Sequence, residues 1–164
     1  MEISVQNLTE ESFAPFGQII EMPTTPPAIT GPNWQWWPEI AVVTGDEGPY
    51  SAGYFTRDPG EFSFDWAERH MLSLEVLIPL TEACLVHVAP ADFPEQPDHL
   101  ANSASFQVFR VNLGQAVVLN FGVWHGAPFA VSQPISMAVF LRQHTGRDDT
   151  YVANFPDMPV KIIT

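Results

Sequence analysis

Short apolar runs separated by turn residues recur along the whole chain, and this pattern favours β-strands over long helices. Residues 50–56, 84–89 and 135–141 are three of these runs, and each has the length and composition of a strand. The 16 prolines and 10 glycines interrupt long helices and favour turns. We predict about eight to eleven short strands, a pattern typical of an all-β sandwich or barrel of the jelly-roll type.

The chain length favours a single domain. A chain of 164 residues can bury one hydrophobic core but is too short for two ordinary domains. We find no repeat or linker, so residues 1–164 are predicted to form one domain. Residues 7–17 predict a short N-terminal helix that is capped by Asn7 or Thr9 and ends at Gly17. Other predicted strands lie at residues 18–21, 40–44, 62–66, 70–79, 106–111 and 115–121.

Charge and cysteine content exclude several classes of protein. A net charge of -13 repels phosphate backbones and anionic lipid surfaces, so we expect no nucleic-acid partner and no membrane. The single cysteine, Cys84, cannot form an intrachain disulfide and is predicted to pack inside a strand. We see neither a signal peptide nor an apolar stretch of ~20 residues, which predicts a cytoplasmic protein. The aromatic, proline-rich segment 22–38 suggests a homodimer.

Four side chains carry the candidate chemistry. Glu68 and His70 lie close together, Glu75 follows them, and His125 comes from a distant strand. If the strands face each other across a barrel, these groups meet in one cavity. Such a cluster would suit either acid–base chemistry or a divalent metal ion, for which Glu68, His70, Glu75 and His125 are the candidate ligands. His87 is predicted to be a hydrogen-bonded core or edge histidine.

Two segments have the spacing of known motifs. Residues 68–82 follow H-x-H-x4-E-x6-G, with Glu68 at the first histidine position and Glu82 at the glycine position. Residues 114–129 follow G-x5-P-x-G-x2-H-x3-N, with Asn120 for proline and Phe129 for asparagine. Both patterns resemble the motifs of the cupin superfamily. The resemblance implies a cupin-like double-stranded β-helix, a jelly-roll barrel, preceded by the short N-terminal helix.

A narrower resemblance covers most of the chain. Residues 68–80 (E-R-H-M-L-S-L-E-V-L-I-P-L) and 123–129 (V-W-H-G-A-P-F) look like the E-R-H-P-L-x-x-Q-x-F-I-P and V-W-H-H-P-L segments of the ureidoglycolate lyase family. Glu75 stands where that family usually has glutamine, and Gly126 where a second histidine is common. The resemblance implies cleavage of (S)-ureidoglycolate to glyoxylate and urea, a lyase step of allantoin and purine catabolism, with no cofactor required.

The implied reaction assigns roles to the four side chains. His70 or His125 would be the base, and the other would be the acid or would orient the substrate. Glu68 and Glu75 would hydrogen-bond the imidazoles or the urea NH2 groups. Substrate-binding candidates are Arg57, Arg69 and Trp124. For the substrate carboxylate the sequence does not choose among the arginines, which are Arg57, Arg69, Arg110, Arg142 and Arg147.

Two alternative functions remain open at this point. The first is a metal-dependent cupin enzyme that acts on another small organic acid or amide, and the Glu75 carboxylate favours it because carboxylates are better metal ligands than amides. The second is a non-catalytic cupin that binds a small ligand. Cupin-like barrels can host all three functions, so the fold alone does not decide between them.

Overall fold

The turn-bounded apolar runs form strands, and the structure is built mainly from them. This computed structural model describes residues 1–43, 48–96, 102–155 and 159–164. Within these ranges the strands are β1 (Glu2–Asn7), β2 (Gly17–Ile20), β3 (Ile29–Thr30), β4 (Gln35–Trp36), β5 (Tyr50–Arg57), β6 (Ser63–Phe64), β7 (Trp66–Arg69), β8 (Glu75–Pro79), β9 (Cys84–Ala89), β10 (Gln107–Val111), β11 (Ala116–Leu119), β12 (Trp124–His125), β13 (Phe129–Ala130), β14 (Ile135–Arg142), β15 (Tyr151–Asn154) and β16 (Val160–Ile163). The helices are α1 (Glu10–Phe13) and α2 (Thr145–Asp148), with one 3-10 turn at Ser103–Ser105.

Two sheets share most of these strands. Among the described residues the larger sheet has nine strands, in the order β15-β7-β12-β9-β10-β1-β16-β6 with β13 paired to β9. The smaller sheet has five strands in the order β2-β11-β8-β14-β5, and β3 and β4 form a separate hairpin. Strand β1 runs parallel to both β10 and β16, whereas β12 pairs antiparallel with both β7 and β9.

The nine-stranded sheet curls until its two ends approach each other. Strand β6 is the last strand of this sheet and β7 is the second strand from the opposite end. Only Asp65 separates β6 from β7 in the sequence, so the chain passes directly from one end of the sheet to the other. The backbone N–H of Phe155 donates to the Asp65 carbonyl at 2.7 Å. This hydrogen bond holds the two ends together.

Two hydrophobic cores result from this curvature. The inter-sheet core lies between the two sheets, and its buried members include Leu77, Val86, Phe109, Val117 and Met137. The curled-sheet core lies inside the curl of the nine-stranded sheet, and its buried members include Phe64, Leu85, Trp124, Phe129 and Ile162. Because successive residues of a strand face opposite sides, β9 and β10 supply both cores: Val86 and Phe109 belong to the first, and Leu85 and Val108 to the second. The predicted all-β class with a short helix near the N-terminus is confirmed.

Helix α1 begins where the sequence predicts. The Thr9 side chain accepts from the backbone N–H of Ser12, and the Ser12 hydroxyl accepts from the backbone N–H of Thr9. This capping box satisfies N–H groups that have no partner within the helix. The helix buries Phe13 completely, and Phe13 packs edge-on against Phe109 with ring centroids 5.3 Å apart. The helix therefore closes one end of the inter-sheet core.

The strand predicted at residues 40–44 is wrong over its described part. Residues 40–43 lack strand structure, and Val42 and Val43 are about half exposed. The Gln18 side chain accounts for this, because its amide donates to the Val42 carbonyl at 3.0 Å and accepts from the Val42 N–H at 3.2 Å. A side chain thus takes the place of a partner strand. Thr44 lies outside the described residues.

The strand predicted at residues 70–79 starts later than expected, at Glu75. The backbone N–H groups of Met71 and Leu72 donate instead to the carboxylate of Asp149, at 2.9 and 2.8 Å. These bonds hold the chain in a bend directly after β7. The short strands β1, β15 and β16 were not predicted; they complete the curl of the nine-stranded sheet.

Cys84 is a fully buried free thiol in β9, as predicted. Burial raises the pKa of this thiol to about 12, although the nearby Arg110 opposes the shift. A thiol with so high a pKa is a poor nucleophile at neutral pH. In the described ranges, no helix combines the length and the apolar character needed to cross a membrane.

Candidate active site

Strand pairing brings the predicted site residues together. Strands β7 and β12 are adjacent and antiparallel, with Glu68 directly opposite His125. Residues paired in this way project from the same face of a sheet. His70 follows one residue after the end of β7, and Glu75 is the first residue of β8 in the five-stranded sheet. The cluster therefore sits between the two sheets and draws on both of them.

One carboxylate oxygen lies at the centre of this cluster. Glu75 Oε2 is 2.9 Å from His125 Nε2 and 3.2 Å from His70 Nε2. The two imidazole rings meet nearly edge to face, with centroids 5.1 Å apart. Only 6% of His70 and 3% of His125 is exposed, so water screens these contacts weakly. Glu68 is half-buried.

Backbone carbonyls fix the orientation of both rings. His125 Nδ1 is 2.9 Å from the Val123 carbonyl oxygen, and His70 Nδ1 is 2.8 Å from the carbonyl oxygen of Asp149. Asp149 is itself 1% exposed, and its carboxylate holds the bend that follows His70. Asp149 was not predicted from the sequence. The available signal was a polar D-D-T stretch before a strand, which does not distinguish a buried aspartate from a solvated one.

The hydrogen-bond partners set the proton requirement of the two imidazoles. All four ring nitrogens face oxygen atoms: two backbone carbonyls at Nδ1 and Glu75 at both Nε2 positions. A neutral imidazole has one N–H donor, whereas an imidazolium has two. Two neutral rings would satisfy only two of these four contacts. The cluster therefore favours an additional proton, or another cation, where the Nε2 atoms meet.

Electrostatics favour a charged His125 paired with a charged Glu75. Burial opposes the imidazolium, but the attraction and hydrogen bond of Glu75 outweigh it and raise the pKa of His125 to about 9, with help from Glu68. Burial alone would also raise the pKa of the Glu75 carboxyl. His125 and His70 together outweigh that effect and hold this pKa well below its usual range. At neutral pH the pair is an ion pair, which can supply a proton.

The donor atoms also satisfy the requirements of a divalent metal site. One ligand atom from each of Glu68, His70 and His125 can be chosen so that all three lie within 4.8 Å of one another. Metal-binding histidines usually donate their second ring N–H to a carbonyl or carboxylate, and the Nδ1 contacts of both rings have this form. The residues present therefore fit a first-row divalent cation, with Glu75 as a further carboxylate beside both Nε2 atoms.

Arg69 and Trp124, two predicted substrate-binding residues, point to the opposite face of the strands. Arg69 is fully buried and donates to the Gln96 carbonyl at 2.6 Å and to the Asp92 carbonyl. Its guanidinium carbon lies 4.4 Å above the Trp124 ring, and the Trp124 indole donates to the Asp92 carboxylate at 3.0 Å. These contacts give both residues a structural role on the face of the strands opposite the site. Direct substrate binding by Arg69 and Trp124 stays a prediction.

Arg57, the third predicted substrate-binding residue, lies at the end of β5. It donates to the carbonyls of Ala127 and Pro128 at 2.9 and 3.3 Å, shortly after His125 in the chain. Its guanidinium carbon lies 4.0 Å from the centre of the Phe129 ring. Arg57 therefore ties the five-stranded sheet to the segment that follows His125. Its contact with substrate likewise stays a prediction.

His87 is buried, as predicted, but it is not hydrogen-bonded within the described part of the chain. Neither ring nitrogen has a hydrogen-bond partner there, and its ring lies 4.0 Å from that of Phe64. Burial lowers the pKa of His87 to about 3, and the positive groups of His125 and Arg57 add to this effect. The ring occupies space that Gly126 leaves open, because a Cβ at Gly126 would lie 2.6 Å from His87 Nε2.

Comparison with known proteins identifies the family to which this chain belongs. The chain is 22% identical to the ureidoglycolate lyase of Schizosaccharomyces pombe, over 98% of this chain and 95% of that protein. It is 28% identical to the ureidoglycolate lyase of Burkholderia mallei, over 89% and 85% of the two chains. A solved dTDP sugar isomerase from Desulfovibrio desulfuricans superposes over 87% of both chains, with a TM-score of 0.48 and 17% identity. The family model described as ureidoglycolate lyase matches residues 1–162, and so the chain belongs to the ureidoglycolate lyase family.

Proposed function

We propose that this chain cleaves ureidoglycolate into glyoxylate and urea at the cluster formed by Glu68, His70, Glu75 and His125. The observation that carries the proposal is the single carboxylate oxygen of Glu75 between two buried imidazoles. Family membership supports the choice of substrate. The reaction needs one group that takes a proton and one that gives a proton, and two histidines beside one carboxylate can fill both roles.

His70 is the proposed general base. Its ring faces two oxygen acceptors, the Asp149 carbonyl and Glu75, so one ring nitrogen of the neutral form directs its lone pair toward an oxygen. Taking up a proton removes this repulsion, because the imidazolium donates to both oxygens. His70 removes the proton of the substrate hydroxyl. The oxygen then forms the aldehyde carbonyl of glyoxylate as the carbon–nitrogen bond breaks.

His125 is the proposed general acid. Glu75 keeps its imidazole protonated at neutral pH, so a proton is available when the carbon–nitrogen bond breaks. The electron pair of that bond passes to the leaving nitrogen, and His125 protonates this nitrogen to release urea. Glu68, which lies opposite His125 and is half-buried, accepts hydrogen bonds from the urea NH2 groups. Both histidines then exchange one proton to restore the starting state.

Separate product assays test this proposal. Purified protein is incubated with racemic ureidoglycolate, and glyoxylate, urea and ammonia are each measured. We expect equal amounts of glyoxylate and urea from one enantiomer, and we expect His70→Ala and His125→Ala to lose at least about 100-fold in kcat. The control is His144→Asn, because His144 is exposed and has a positive φ that asparagine tolerates. Ammonia in place of urea would identify a hydrolase, and binding without turnover would favour a non-catalytic protein.

A metal-dependent enzyme is the second candidate, because the donor atoms of Glu68, His70 and His125 lie close enough to hold one ion. When bound, a divalent cation would act as a Lewis acid on a substrate oxygen. In that case Glu75, whose carboxylate lies beside both Nε2 atoms, would be a further candidate ligand. Dialysis against a chelator followed by elemental analysis and assay decides between the candidates. Full activity of metal-free protein excludes this second function.

We further propose that residues 1–164 act as one cupin-like domain in a cytoplasmic homodimer. Exposed aromatic side chains support a dimer, since Trp34 and Trp36 of the β3–β4 hairpin are each more than half exposed and such surfaces are usually covered. The single buried thiol, Cys84, suits a reducing compartment, and the acidic charge disfavours nucleic-acid and membrane partners. Light scattering at micromolar concentration tests the dimer, and a monomeric mass contradicts it.

A further inference from the structure

A small cavity lies apart from the catalytic cluster, inside the curl of the nine-stranded sheet. Its volume is about 40 Å³, and Arg57, Ser63, Phe64, His87 and Phe129 are among the residues that line it. His87 projects from β9 with the curled-sheet core, whereas the catalytic His125 pairs with Val88 on the other face. We call this space the Arg57–His87 cavity. Nothing in the proposed reaction uses it.

Arg57 brings a positive charge to this cavity without a neutralising partner. Its hydrogen bonds go to the carbonyls of Ala127 and Pro128, which are neutral, and its remaining contact is the face of Phe129. Within the described residues it forms no ion pair with a carboxylate. Burial lowers the pKa of Arg57, yet a guanidinium stays charged in proteins. A partly buried charge of this kind favours an anion beside it.

His87 adds an unused hydrogen-bonding group to the same cavity. It is 2% exposed, and both its ring nitrogens lack partners among the described residues. Aromatic rings surround it, with ring centroids 4.0 Å away for Phe64 and 5.5 Å away for Phe129. Even the neutral imidazole carries one N–H donor. Buried polar groups without a partner are rare in folded proteins and indicate an ion, a water molecule or a ligand.

The size and the lining of the cavity restrict its occupant. A volume of about 40 Å³ holds on the order of three water molecules, which is enough for one ion or a group of two or three heavy atoms. The polar side chains that line it, those of Arg57, Ser63 and His87, all offer hydrogen-bond donors, and no carboxylate is among the described lining residues. Water would satisfy His87 but would leave the guanidinium charge unbalanced.

We propose that the Arg57–His87 cavity binds one small monovalent anion, a halide or a carboxylate of formate size. The site stands out in a chain whose net charge is -13, because nonspecific anion binding to such a surface is weak. The anion neutralises Arg57 and accepts a hydrogen bond from the His87 ring. It therefore stabilises the fold behind the strand that carries the catalytic His125, without touching the substrate.

Anion-dependent thermal unfolding tests the proposal in solution. The full chain is titrated with sodium bromide or sodium formate, and sodium gluconate, whose anion is too large for the cavity, keeps the ionic strength constant. We expect a saturable rise in Tm, about 3–6 °C at ten times Kd. Arg57→Gln should lose this rise. Arg110→Gln, which removes an equal charge from an exposed position, should keep it. An equal rise in Arg57→Gln overturns the proposal, as does the absence of saturation.

A crystallographic measurement keeps the test independent of variant folding. Wild-type crystals grown or soaked in bromide should give an anomalous peak between the Arg57 guanidinium and the His87 ring, and formate should displace it. Water density alone in the cavity overturns the proposal, and so does a bromide peak confined to other positions. A peak in the cavity without any solution effect on Tm also overturns it, because it shows binding at crystal concentration only.

Discussion

Replacing Glu75 with glutamine separates the charge of the candidate site from its shape. Glutamine preserves the size of the side chain and can still contact both rings, but it removes the negative charge that they share. That charge holds the pKa of His125 at about 9 against the effect of burial. Without it burial dominates, and we expect the pKa of His125 in Glu75→Gln to fall below its ordinary value of 6.5.

The size of this effect on stability follows from the pKa shift. A rise from 6.5 to about 9 corresponds to about 3 kcal/mol, at about 1.4 kcal/mol per pKa unit. A histidine whose pKa is higher in the folded state stabilises the fold fully below pH 6.5, and this contribution is lost as the pH rises through about 9. Over that pH range, the free energy of unfolding should therefore fall by about 3 kcal/mol more in wild type than in Glu75→Gln.

At acidic pH, the dependence of the free energy of unfolding on pH has the opposite sign. The pKa of the Glu75 carboxyl is lower in the folded state than its ordinary value of 4.5. Its contribution is therefore present above pH 4.5 and is lost as the pH falls further. As the pH falls below 4.5, wild type should lose this contribution to its free energy of unfolding. Glu75→Gln should not, because it has no carboxyl group at this position. The difference between the two proteins should thus be largest between the two transitions, near pH 4.5 to 6.5.

Urea unfolding followed by tryptophan fluorescence measures this difference at a series of pH values. Carbon-13 labelled histidine observed by NMR gives the pKa of His125 directly. Glu82→Gln is the matched control, because Glu82 is exposed and the substitution removes the same charge. If wild type and Glu75→Gln lose stability in parallel from pH 6.5 to 9, the ion pair does not control the protonation of His125, and the assignment of His125 as the acid is wrong.

Three further substitutions test the surroundings of the site. Gly126→Ala should lower the free energy of unfolding in urea by about 1–3 kcal/mol, because its Cβ would lie 2.6 Å from His87 Nε2. Adding His87→Ala should relieve most of this loss. Gly146→Ala, whose Cβ would meet nothing within 4 Å, should not show it. Asp149→Asn places an amide NH2 against a backbone N–H, so kcat should fall at least about 10-fold with an unchanged circular dichroism spectrum. Arg69→Lys cannot reproduce the fork of donors to two carbonyls, and calorimetry should show a Tm about 5 °C lower. An unchanged free energy of unfolding in Gly126→Ala, an unchanged kcat in Asp149→Asn or an unchanged Tm in Arg69→Lys contradicts the corresponding contact.

Much of the site could be predicted because the spacing of residues along a strand determines the side from which their side chains project. Glu68 and His70 are two residues apart and therefore project from the same side of an extended segment. His125 lies in a short strand after a turn, and its pairing with Glu68 brings the distant residue into place. The resemblance of both segments to one family then connects them. These features are local in the sequence, which is why they could be recognised without coordinates.

Other parts depend on tertiary contacts that the sequence does not encode locally. The Gln18 amide replaces a partner strand for residues 40–43, so an apolar run with good strand propensity forms no strand. Strands β1 and β16 are short segments from opposite ends of the chain that pair with each other. The unpaired ring of His87 depends on the absence of a side chain at Gly126, which is distant in sequence. Propensity alone predicts none of these contacts.

The one-residue link at Asp65 has a consequence for how sequences of this kind can vary in length. Side chains alternate along a strand, so inserting or deleting a residue there would rotate β7 by half a period while β6 stayed paired with β16. Arg69 would then point toward the ion pair, and Glu68 would enter the apolar curl. Insertions in the proline-rich segment 22–38 leave this register unchanged. That segment can therefore vary in length, whereas the link at Asp65 must keep its length for the enzyme to keep its chemistry.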